Sequence, residues 1–154
     1  MYYVIVICLM FVFPALSIAV DVVLRNTPAS VLVFAKWLVF WTVGVRLLLA
    51  GTRQIMQPRY TAQTILGING NESLLLVREL GFANVAIGLI GTLSLARAQW
   101  LGAAALAGGV FYVLAGVNHA MQPHRNRLQA VAMGTDLFAG VALLGASVCM
   151  AIFS

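Results

Sequence analysis

Apolar residues fill this chain in five long runs, and polar residues collect between them. The runs cover residues 2–24, 31–51, 73–96, 100–121 and 128–153. At about 1.5 Å per residue, some twenty apolar residues in a helix cover a hydrocarbon layer of ~30 Å. Each run therefore predicts one membrane-spanning helix, since a segment crossing lipid must satisfy its own backbone hydrogen bonds. The expected fold is all-α, a polytopic bundle of five transmembrane helices forming a single domain over residues 1–154. The first run exceeds the apolar core of a cleaved signal peptide, so it is expected to be retained, with Pro14 kinking it near the middle.

Three connections, 25–30, 97–99 and 122–127, are short. The connection 52–72 is long for a compact bundle. Within it Pro58 suits the start of a helical turn, residues 61–66 can continue it, and Gly67 can end it. Tyr60, Ile65, Leu66 and Ile68 make that segment partly apolar, so it should lie on the membrane surface or fold over the bundle mouth. Asn69 and Gly70 read as a turn, with Asn71 or Ser73 capping the third span.

Composition supports the same picture. The 154 residues are 62% hydrophobic and 8% charged, with a mean hydropathy of +1.00, whereas a soluble domain is about 25% charged. The net charge of +5 does not imply nucleic acid. Arg25, Lys36, Arg53, Arg59, Arg97, Arg125 and Arg127 sit at or beyond span ends, where basic side chains reach lipid headgroups. They divide four to three between the two sides and leave orientation undetermined. Cys8 and Cys149 fall at opposite ends of a five-span path, which excludes a disulfide between them. Trp37, Trp41 and Trp100 are expected as interfacial anchors.

Small residues mark the packed faces. Gly81, Asn84, Gly88 and Gly91 share one face of the third span. Ala105, Gly109, Gly116 and Ala120 share one face of the fourth, and Gly140 lies one turn beyond Asp136 in the fifth. Such stripes let helix backbones approach closely in lipid, either within one bundle or in a homo-oligomer.

The charges left inside the spans carry the functional information, because a charge at mid-bilayer costs about 2.5–3.5 kcal/mol on insertion scales. Counting along the spans puts Arg46, Arg78, Glu79, Asn84, Asn118, His119 and Asp136 at a similar depth on the amino-terminal side. Only Asp21 falls at the other end. Thr42, Arg46 and Arg53 share one face of the second span. The expected pairs are Arg46 with Glu79 and Arg78 with Asp136, or the crossed arrangement. The binding-pocket candidates are therefore Arg46, Arg53, Arg78, Glu79, Asn84, Asn118, His119 and Asp136; structural ion pairs that set helix register are the competing reading. His119 alone lies within a span, which leaves no axial pair for a b-type haem. No Cys/His spacing suggests a metal centre, and no catalytic constellation stands out.

Residues 45–51, VRLLLAG, followed by Arg53, resemble the arginine- and glycine-bearing first helix of DoxX-like membrane proteins. Residues 78–91, RELGFANVAIGLIG, resemble their second helix, in which an acidic residue precedes a glycine-rich run. In more detail the chain is similar to a small bacterial family of unknown function, the DUF6790 type. The resemblance implies a four-helix core over residues 31–153, to which the first span is an addition, and a place in the bacterial cytoplasmic membrane. It implies subunits or partners of membrane redox and detoxification complexes, among them thiosulfate:quinone oxidoreductase. Arg46 and Glu79 match the family's inward-facing charged pair.

The expected role is thus a small integral membrane protein with a charged pocket near one surface. It would be an accessory or redox-linked subunit, or a binder of an amphipathic molecule such as a quinone, without independent catalysis. In such a pocket Arg46, Arg53 and Arg78 would hold an acidic or carbonyl group, steadied by Glu79 and Asp136, with His119 exchanging a proton. Two alternatives are a proton-linked transporter using Glu79, Asp136 and His119, and a structural subunit of a larger membrane complex. The expected partners are the lipid bilayer, a membrane redox complex or a second copy, and not nucleic acid.

Overall fold

The computed structural model describes residues 2–124 and 126–153, and every regular element among them is helical. In chain order the helices are α1 (Tyr3–Leu24), α2 (Val31–Met56), the short α3 (Tyr60–Ile65), α4 (Asn71–Leu93), α5 (Ala98–Met121) and α6 (Arg127–Ile152). All but α3 are long and apolar enough to cross a membrane. Arg125, counted above among the basic loop residues, lies outside the described residues.

The bundle is apolar on its outside as well as its inside. Leu16, Leu24, Leu76, Leu114, Val141 and Ile152 are each more than half exposed, which in water would be a large aggregation surface. The core is built around α2. Its Ala35, Val39, Val43 and Leu47 meet Val6 and Met10 of α1, Ala104, Ala105 and Tyr112 of α5, and Ala139 and Leu143 of α6.

Glycine sets the closest approaches. A Cβ on Gly91 would stand 2.6 Å from the Gly44 nitrogen, and one on Gly51 would stand 2.7 Å from the Gly81 carbonyl oxygen. The α2 and α4 backbones therefore touch along a seam that only hydrogen side chains allow. Between α5 and α6 the corresponding positions, Gly109, Gly116 and Gly140, receive Leu144, Leu137 and Val113. These glycines are thus packed against neighbours in the same chain.

Two long helices depart from regular α geometry. The turns of α1 widen to π-type hydrogen bonding at Cys8–Val12, immediately before the buried Pro14. Proline's missing N–H takes the usual donor away from the Met10 carbonyl, which lies within this stretch. In α2 the widened stretch is Val39–Val45, and there the Tyr112 hydroxyl of α5 donates to the Thr42 carbonyl oxygen at 2.6 Å. The α2 helix also continues past the expected end at residue 51 to Met56, because its buried face runs on through Gly51 to Gln54.

A polar fastener holds α1 at the end opposite the chain's amino terminus. Asp21 is 2% exposed and accepts hydrogen bonds from Arg25 at 3.0 Å, from Trp37 Nε1 at 2.7 Å, and from Lys36. One helical turn earlier, Ser17 accepts a hydrogen bond from Trp41 Nε1 at 2.9 Å. Trp37 and Trp41 thus serve as helix-to-helix donors. Both cysteines are free thiols.

Connection 57–70 folds over the bundle mouth. Pro58 begins the helical turn, and Gly67 closes it with a positive φ of 70°. The start of α6 holds it down: Asn126 Nδ2 donates to the Ile65 carbonyl at 3.1 Å, and Gln129 Nε2 to the Leu66 carbonyl at 3.2 Å. Asn126 and Gln129 also cap α6 reciprocally, each side-chain oxygen accepting the other's backbone N–H at 2.8–2.9 Å. The N-cap of α4 is Gly70, and the Ser73 hydroxyl donates back to the Gly70 carbonyl at 2.7 Å.

Candidate functional site

A cavity of about 360 Å³ lies in the half of the bundle nearest the amino terminus, walled by all six helices. Most of its wall is apolar, with Leu9, Leu47, Phe111 and Ala132 among the lining residues. Against that wall stand the polar groups Arg46, Arg53, Gln54, Asn84, His119 and Asp136.

The deepest polar unit joins α2 to α6. Arg46 Nη2 donates to Asp136 Oδ1 at 2.6 Å, and the two side chains are 12% and 9% exposed. The Thr135 hydroxyl, which donates to the Val131 carbonyl at 2.9 Å, also accepts from Arg46 at 3.4 Å. The guanidinium lies 4.8 Å from the ring centroid of Tyr112, the same tyrosine that bonds to the widened turn of α2. Charge pairing and the aromatic face together offset the cost of taking this arginine out of water.

Nearer the mouth, Asn84 Nδ2 of α4 donates to Gln54 Oε1 of α2 at 2.7 Å. Asn84 is 3% exposed, and its Oδ1 has no hydrogen-bond partner among the described residues. Arg53 lies against α3, its guanidinium 3.7 Å from the Tyr60 ring centroid. His119 is half-buried in the cavity wall, within electrostatic reach of Asp136.

Of the eight residues singled out from the sequence, Arg46, Arg53, Asn84, His119 and Asp136 line this cavity. Arg78, Glu79 and Asn118 are exposed on the bundle surface and contribute nothing to its wall. The Arg46–Glu79 and Arg78–Asp136 pairs are not formed; of the crossed arrangement Arg46–Asp136 is present, while Arg78 and Glu79 make no ion pair among the described residues. The reason is angular. The packed face of α4 runs through Val77, Gly81, Asn84, Gly88 and Gly91, and at 100° per residue positions 78 and 79 turn away from it. On α5 the cavity face carries Tyr112, Ala115 and His119, which leaves Asn118 to one side.

Gln54, Thr61 and Tyr112 are cavity residues that the sequence reading passed over. Gln54 falls eight residues beyond Arg46, on the same helical face, so the signal was present once α2 was allowed to continue past Gly51. Tyr112 carried no comparable mark, since an aromatic residue inside a span usually packs. Among the described residues no three His, Cys, Asp or Glu side chains gather as a metal site.

No curated protein and no solved structure matches the chain. The model of a family of unknown function, DUF6790, matches residues 1–151, and the chain belongs to that family.

Proposed function

We propose that this is a small integral membrane protein whose cavity takes up the head of an amphipathic molecule. In this reading it serves as an accessory or redox-linked subunit, not as an independent catalyst. The observation that carries the reading is the make-up of one cavity: a mostly apolar wall that also holds Arg46 paired with Asp136, Arg53, and an Asn84 oxygen without a partner among the described residues. Sites for small organic molecules have this form, an apolar pocket with a few placed polar groups. A purely structural ion pair would need no such space.

A head bearing an acidic or carbonyl group fits the donors present. A quinone is one such molecule: Arg53 would donate to its carbonyl oxygen, and Asn84 Oδ1 would accept from the hydroxyl of the reduced form. The wider likeness to DoxX-like proteins, and with it a place in a bacterial cytoplasmic membrane, belongs to this proposal. Against a transport pathway stands the apolar layer of Val39, Val43, Ala104 and Leu143, each fully buried, between the cavity and the Asp21 fastener.

Purification in mild detergent, with mass spectrometry of co-purifying small molecules and chains, tests the proposal. Wild type is expected to retain an amphiphile that the folded double variant Arg53→Leu/Asn84→Leu loses. A wild type that retains none, or two identical profiles, overturns it.

A further inference from the structure

The cavity's polar lining has a charge imbalance that the chain does not correct. The sequence holds nine lysines and arginines against four aspartates and glutamates. Asp21 is engaged at the far end of the bundle by Lys36 and Arg25, and Asp136 is engaged by Arg46. Glu72 and Glu79 are exposed, and neither makes an ion pair among the described residues. Arg53 therefore brings a positive charge into the cavity wall with no carboxylate among the described residues to meet it. It is held there by the face of Tyr60, at 3.7 Å. Half-buried at the cavity wall, such a charge attracts an anion more strongly than it would in bulk water.

The cavity's openings limit the shape of that anion. Over the mouth lies α3, whose Thr61 and Ile65, with Leu66 just beyond it, form part of the cavity wall. The hydrogen bonds from Asn126 and Gln129 hold α3 in place. The side of the cavity is different. Ile5 of α1, Leu49 of α2 and Leu80 of α4 all line it, yet they are 39%, 52% and 36% exposed. Residues that face both a cavity and the outer surface mark a window; its three residues are apolar, and Arg78 and Glu79 are exposed beside it on α4. At about 360 Å³ the space is near the lower limit for small-molecule sites, enough for a head and part of one chain but not for a two-chain lipid.

We infer that the ligand is a single-chain amphiphile with an anionic head, which enters sideways through the window between α1 and α4. Its head is held by Arg53 and the Asn84–Gln54 amide pair, and its chain leaves along Ile5, Leu49 and Leu80. The amide pair suits either kind of head oxygen. In one orientation it presents the Asn84 acceptor, and with both amides turned over it presents a donor through the same 2.7 Å bond. Arg46 is not the anion's partner, because the Asp136 carboxylate already meets its charge. This inference rests on the amphiphile reading above and narrows it to one head chemistry and one route.

The test uses the whole chain in lipid nanodiscs and two photo-reactive probes: a long-chain fatty acid with a diazirine in its tail, and the fatty alcohol of the same length. Cross-linked peptides are located by mass spectrometry. The acid is expected to label the segments holding Ile5, Leu49 and Leu80. Arg53→Gln is expected to lower that labelling about tenfold, as loss of a charge-assisted hydrogen bond implies, while Arg53→Lys restores most of it. The alcohol is expected to label the same segments weakly and equally in all three proteins. Thermal melting confirms that each variant is folded. If acid and alcohol label the window alike and Arg53→Gln changes neither, the anionic head is refuted while the amphiphile reading survives. If the acid labels only outer faces such as that of α6, the sideways route is refuted. If neither probe reaches the cavity wall, both readings fall.

Discussion

Arg46 and Asp136 show how one buried pair can both hold a bundle together and shape a site. Each comes from a different helix, and removing either leaves the other's charge in an apolar wall. Arg46→Leu is expected to destabilise the protein by about 3–5 kcal/mol, whereas Arg46→Leu/Asp136→Leu should recover most of that loss. A double-mutant cycle of thermal or denaturant unfolding in detergent measures the coupling. Arg78→Ala and Glu79→Ala serve as controls, and at their exposed positions each should change stability by no more than about 0.5 kcal/mol. Equal losses at Arg46 and Arg78 would mean that the cavity pair has no special standing. The depth of these charges could be counted from the sequence. Their direction around the helix could also have been read from the glycine spacing of α4, had it been applied to residues 78 and 79.

At the scale of elements, close backbone contact and capping do the positioning. The α2–α4 seam brings Gln54 beside Asn84, and it survives only while its glycines do. Gly51→Ala would drive a methyl group into the Gly81 carbonyl, 2.7 Å away, at a cost of about 1–3 kcal/mol. Gly134→Ala on α6 meets nothing within 4 Å and should be neutral, or stabilising by up to about 1 kcal/mol through helix propensity. Melting temperatures of the two variants in one detergent decide between a tight seam and a loose one. The α3 cover depends in turn on Asn126 and Gln129. Replacing Gln129 by leucine removes its half of the cap on α6 and its bond to Leu66. Trypsin should then cut after Arg59 several-fold faster than in wild type; an unchanged rate would mean that α3 is held by other contacts.

For the whole molecule, the polar groups divide into two levels separated by an apolar layer. The cavity occupies one level, and the Asp21 fastener ties α1 to α2 at the other. If the five helices cross the bilayer, the connections on either side of α4 face opposite compartments. On a Cys8→Ser/Cys149→Ser background, Asn69→Cys and Arg97→Cys should therefore react with a membrane-impermeant maleimide from opposite sides of intact vesicles. Labelling of both from the same side would overturn the crossing of α4.

The sequence by itself determined the number of long helices, their all-α character and the level at which the inward charges lie. These are local consequences of apolar run length and of the backbone's need to bond within its own segment. It also identified the glycines as contact positions, since few other reasons place them so regularly in apolar helices. The choice of partner was tertiary. Whether Arg46 met Glu79 or Asp136 depended on helix rotation about the α2 axis, and whether Trp37 faced lipid or Asp21 depended on where α1 docked. The cavity too arises only from packing, because its space is what six helices leave unfilled once their glycine seams have closed.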